Sequence, residues 1–92
     1  MRRFVIEREI PDAGKIVGND LRAAAAKSNE VLASLAPHVQ WVHSYVADDR
    51  IFCVYLAEEA EDVRKHAELS GFPADRIVEV RRVIDPMTAE VA

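Results

Sequence analysis

The 92-residue chain reads as strand, helix, strand, strand, helix, strand, and this order predicts an α+β ferredoxin-like fold. In such a split βαβ arrangement a four-stranded antiparallel sheet carries two helices on one face. Three observations carry the expectation. Four short runs are rich in β-branched and aromatic residues, two stretches repeat apolar residues at helical spacing, and Pro- or Gly-containing polar segments separate them. One domain, 1–92, accounts for the whole chain, since compact domains usually hold about 50–200 residues.

Phe4-Val5-Ile6, flanked by charge and stopped at Pro11-Asp12-Ala13-Gly14, gives a first strand over 3–9. Asn19 stands at an N-cap position with Asp20 at the positive end of the helix dipole. Leu21, Ala24, Ala25, Ser28, Leu32 and Leu35 then repeat at helical spacing, so a helix over about 20–35 follows and Pro37 ends it. Its run from Ala23 to Ala26 has little bulk, which lets the helix approach a sheet closely.

The β-branched and aromatic stretches 39–46 and 51–56, joined by Ala47-Asp48-Asp49-Arg50, form a hairpin. Acidic residues 58, 59, 61 and 62 open a second helix that Ser70-Gly71 closes. Residues 77–84 make a fourth strand, stopped by Asp85-Pro86, and the tail 87–92 is expected to be loosely held. Crossover handedness puts the first and third strands at the centre. Trp41, Tyr45, Tyr55 and several branched residues cannot all hide beneath two short helices, so the open face of the sheet is expected to form a homodimer.

Composition excludes several classes. A net charge of -4 argues against nucleic acid, whose binders present a basic face. No apolar run approaches the roughly 18 residues that span a bilayer, and no export signal is read at the start of the chain. The single cysteine, Cys53, cannot form an intramolecular disulfide, which fits a reducing, cytoplasmic location. Phosphate-binding glycine loops, Cys-x-x-Cys pairs, His-Glu-x-x-His and Gly-x-Ser-x-Gly are all absent, so the sequence favours a binding protein over an enzyme.

The chemistry concentrates in the hairpin, which holds His43, Tyr45, Cys53 and Tyr55. Their relation depends on register. A two- or four-residue loop pairs His43 with Val54 and separates the polar sets. A three-residue loop instead pairs His43 with Tyr55 and Tyr45 with Cys53. The three-residue loop is favoured, because Asp48-Asp49 makes a poor type I′ turn and because Val42, Val46, Phe52, Val54 and Leu56 then share the helix-facing side. An imidazole and a thiol on one face suit nickel, copper or zinc, and a two-fold dimer could add carboxylates such as Glu7, Glu9 or Glu79. The competing reading makes Cys53 a small buried hydrophobe and His43 a hydrogen-bonded interior imidazole. His66 and His38 read as solvated positions, and the arginines at positions 2, 3, 8, 81 and 82 as edge charges that block aggregation.

Taken together, Arg3-Phe4-Val5-Ile6-Glu7-Arg8, Trp41-Val42-His43-Ser44-Tyr45-Val46, Cys53-Val54-Tyr55 and Gly71-Phe72-Pro73-Ala74-Asp75-Arg76-Ile77 give the chain a family resemblance. It resembles the small bacterial proteins catalogued as domain of unknown function 4242, whose best-described member is a nickel-binding protein. The resemblance implies a ferredoxin-like fold, a homodimer and a divalent transition metal as partner. It places the recurring hairpin residues at His43, Tyr45, Cys53 and Tyr55, and the helix-two histidine at His66. His43 and Cys53 stand first as ligands, with Glu7 and His66 behind them. Nickel is the metal implied, with zinc and copper open to the same donors.

Two other functions compete. One is a cofactor-free enzyme acting on a small aromatic molecule, with His43 as acid or base in a cavity of at least about 300 Å³. The other is a plain dimerisation module.

Overall fold

The computed structural model describes residues 1–90; residues 91 and 92, the end of the tail expected to be loose, lie outside the described residues. Strand β1 (Arg2–Glu9), helix α1 (Gly18–Leu35), strands β2 (Val39–Val46) and β3 (Arg50–Ala57), helix α2 (Ala60–Ser70) and strand β4 (Arg76–Val80) follow in the predicted order. Short 3-10 turns lie at Ala13–Lys15, between β1 and α1, and at Pro86–Glu90, after β4. The four strands form one antiparallel sheet in the order β2-β3-β1-β4, with β1 and β3 central as handedness requires. No helix among the described residues is long and apolar enough to cross a membrane.

Strand β1 sets which side of the sheet is which. Phe4, Ile6 and Arg8 share one parity and are buried, whereas Arg3, Val5 and Glu7 share the other and remain partly exposed. Directly opposite, Phe4 pairs with Tyr55 and Ile6 with Cys53, so the buried face of β3 is also fixed. The core therefore gathers Phe4, Ile6, Val39, Cys53, Tyr55, Ala57 and, from α2, Val63, with Leu32 and Leu35 of α1 packed against it. Each large apolar side chain so buried contributes about 1.5–3 kcal/mol.

The hairpin departs from the expected register. Ala47 N–H donates to the Arg50 carbonyl, which closes a two-residue Asp48-Asp49 turn, and Val46 pairs with Ile51, Ser44 with Cys53 and His43 with Val54. A β-bulge between Trp41 and His43 then adds one residue to β2, so that Trp41 pairs with Tyr55. The three-residue loop is thus overturned, and with it the assignment of faces. Phe52, Val54 and Leu56 lie on the open face, while Ile51, Cys53 and Tyr55 face the helices.

Smaller differences have local causes. Helix α1 starts at Gly18 with Val17 as its N-cap residue, and the Asn19 side chain accepts from Arg22 instead of capping. The fourth strand ends at Val80 rather than 84, and residues 81–90 are all exposed. Helix α2 is capped at both ends. A capping box joins Glu59 and Asp62, and Gly71 closes the C-terminus at φ 76.

A Cβ added at Gly71 would meet nothing within 4 Å, so a substitution there tests backbone conformation alone. Gly71→Ala is expected to lower unfolding free energy by about 1–2 kcal/mol, with Gly71→Asn losing less, as read by urea denaturation.

Candidate functional site

Beneath the N-terminal half of α1 the sheet is not tightly covered. Ala24 is exposed and Ala25 only half-buried, and a cavity of about 490 Å³ separates this part of the helix from the hairpin strands. The alanine run that was expected to draw the helix close leaves the space open, because methyl groups are too short to fill it. Cys53, Tyr55 and Arg8, all buried, line its inner end, and the more exposed Leu21 and Val46 line its mouth.

Arg8 is the unexpected member. It is only 2% exposed, and its guanidinium donates from Nε to Cys53 Sγ (3.4 Å), from Nη2 to Tyr55 Oη (3.4 Å) and from Nη1 to the Pro73 carbonyl. Its Cζ also lies 5.7 Å from the centre of the Phe72 ring. Among the described residues no carboxylate comes within ion-pair distance of it. Read as an edge charge in the sequence, Arg8 is interior. The signal was its place two residues beyond Ile6 and four beyond Phe4, on the apolar parity of the strand.

Around this charge the titratable groups respond as electrostatics requires. Burial pushes the Tyr55 phenol above its ordinary value, and negative charge at Cys53 would add to that shift while Arg8 opposes it. Burial, reinforced by the positive charge of Arg8, holds the His66 imidazole below the usual histidine value. His66 is not the solvated residue expected. It is fully buried, its Nε2 hydrogen-bonds with Ser28 Oγ at 3.1 Å, its ring lies 5.1 Å from that of Tyr55, and its Nδ1 has no partner.

The other face presents a different set. His43 and Tyr45 are exposed on β2, with His43 Nε2 2.9 Å from Tyr45 Oη. Tyr45, Phe52, Glu7 and Arg76 stand in one cross-strand row, and Val54, Val5 and Val78 continue the row of His43. Glu7 lies two strands from Tyr45, roughly 10 Å away, and accepts from Arg50 at 2.6 Å.

The six candidate ligands therefore fall into two groups divided by the sheet. His43, Tyr45 and Glu7 occupy the open face; Cys53, Tyr55 and His66 lie under the helices. The expected meeting of His43 and Cys53 on one face does not occur. Nor does the cavity adjoin His43, so an enzyme using that imidazole inside it loses its geometry. Tested against nickel, the buried group fits poorly, because Arg8 beside Cys53 and Tyr55 repels a divalent cation. No group of three or more His, Cys, Asp or Glu side chains among the described residues is gathered closely enough to hold a metal ion. The open-face donors fit only as part of a larger set, since His43 and Tyr45 are accessible but too few.

The class this architecture defines is the ferredoxin-like α+β domain. The model of the family described as nickel responsive protein SCO4226-like matches residues 4–80, and the chain belongs to that family. The crystal structure of SCO4226 from Streptomyces coelicolor A3(2) matches with a TM-score of 0.75 at 23% identity, covering 89% of this chain and 99% of that one, a likeness of fold. No curated protein matches the chain.

The depressed His66 value has a consequence for stability. A histidine that resists protonation when folded binds fewer protons than in the unfolded chain, so stability is complete above the unfolded value near 6.5 and falls as pH drops towards the lower folded value. Urea denaturation between pH 8 and 5 is expected to show this loss, with a slope of at most about 1.4 kcal/mol per pH unit from this group, and His66→Gln is expected to flatten the curve by that amount.

Proposed function

We propose that this protein is a cytoplasmic nickel-handling homodimer, without turnover, in which two open sheet faces pair and His43 of each copy supplies the leading ligand. The observation that carries the reading is the exposed His43–Tyr45 pair on an otherwise unpartnered apolar face. Val78 is 43% exposed and Tyr45 60%, beside half-buried Val5, Phe52 and Leu56, a surface of the kind that marks an interface. The family's description, nickel responsive, supports the metal.

Dimerisation supplies what one chain lacks. Nickel takes four or more donors in square-planar or octahedral arrangements, and a two-fold axis presents every open-face donor twice. Imidazole is a favoured donor for this ion, and Glu7 of a facing copy would add the carboxylate that its own chain holds two strands away. Cys53 and His66 have structural work instead, in the core and beside Arg8. The free Cys53 thiol is compatible with a reducing compartment.

Calorimetric titration of the metal-free, reduced protein with Ni²⁺ is expected to show at least ~10-fold weaker binding for His43→Ala and unchanged binding for Cys53→Ser, with both variants keeping the far-ultraviolet spectrum. Sedimentation is expected to give a dimer that Phe52→Lys dissociates. Nickel affinity lost in Cys53→Ser and kept in His43→Ala would place the metal beneath the helices and overturn this reading.

A further inference from the structure

We propose that the cavity between α1 and the sheet is a binding site for a small aromatic monocarboxylate, whose carboxylate is held by Arg8. A guanidinium keeps its charge at every accessible pH, and a charge taken out of water is costly unless a counter-charge meets it. Arg8 is 2% exposed, yet its hydrogen-bond partners are a thiol, a phenol and a peptide carbonyl. These accept hydrogen bonds without supplying a full negative charge. Three of its five N–H groups are so used, which leaves two for an anion.

The surroundings select what the anion is attached to. Cavities that hold small molecules measure about 300–1,000 Å³ and are mostly apolar with a few convergent polar groups, and this one, about 490 Å³, fits that description. Trp41, Ile51 and Phe72 line it with large apolar groups and Ala24 and Ala25 with methyl groups, a lining suited to an aromatic ring. Tyr55, kept as a phenol by burial, and Ser28 add hydroxyls at the inner end. A single buried arginine matches a single carboxylate, bound through two N–H groups of its fork. The one carboxylate in the lining, Asp20, lies exposed in the first turn of α1 and disfavours a second negative charge on the ligand. The site is on the opposite side of the sheet from His43, so it stands or falls independently of the nickel reading.

Calorimetric titration of the full chain with 3-phenylpropanoate and with the neutral 3-phenylpropanamide, in the presence of a chelator, tests the assignment. The carboxylate is expected to bind at least ~10-fold more tightly than the amide. Ala25→Leu, which puts bulk into the cavity with a good helix former, is expected to abolish binding while the far-ultraviolet spectrum is kept, and His43→Ala to leave binding unchanged. Arg8→Met is expected to equalise acid and amide; since that variant removes an interior contact, Ala25→Leu carries the test if Arg8→Met does not fold. Equal affinity for acid and amide in the unaltered protein overturns the proposal. So does carboxylate binding that survives Ala25→Leu, or none at about 10 mM.

Discussion

The parity of β1 governs this molecule. With charged Arg3 and Glu7 on one side and Phe4 and Ile6 on the other, only one face of the strand can enter the core, and a slip by one residue would bury Arg3 and Glu7 instead. Because β1 is central, its choice passes to both neighbours. Phe4 opposite Tyr55 and Ile6 opposite Cys53 commit β3, and Ile6 opposite Ile77 commits β4. The same parity carries Arg8 inward behind Phe4 and Ile6, so the interior charge is a by-product of the rule that builds the core.

From that constraint the two candidate surfaces follow. The helix-facing side holds a guanidinium, a thiol, a phenol and a neutral imidazole beneath a helix whose alanines do not reach them, which makes a cavity with a positive inner end. The open side holds apolar residues with an accessible imidazole and phenol at one edge strand, which makes a surface suited to a second copy. The two proposals put a cation and an anion on opposite sides of one sheet. The separation is electrostatically sensible, because a divalent metal beside Arg8 would meet several kcal/mol of repulsion at the low effective dielectric of an interior.

Much of the architecture was legible in the chain. The order of elements, the ends of β2, the Gly71 cap and the central placement of β1 and β3 are consequences of local spacing, turn chemistry and crossover handedness. The site was less legible. His66 looked solvated because Arg64 and Lys65 precede it, yet helical spacing puts it one turn beyond Asp62 and beside Val63 and Ala67, on the buried stripe. Arg8 looked like an edge charge because charge on a strand is usually solvated, although its parity with Phe4 and Ile6 pointed inward.

By itself the sequence determined the fold class, because the order of elements rests on contrasts between neighbouring residues: apolar against charged, turn-former against strand-former. Only the tertiary structure decided the faces of the hairpin. Phe52, Val54 and Leu56 are as apolar as Ile51, Cys53 and Tyr55, so hydrophobicity gives β3 no preferred side until β1 is laid against it. The two-residue turn places His43 outside, and the bulge at Val42 then shifts β2 by one residue, which places Trp41 inside. A two-residue turn and one neighbouring strand separate His43 from Cys53, and neither leaves a mark in local composition.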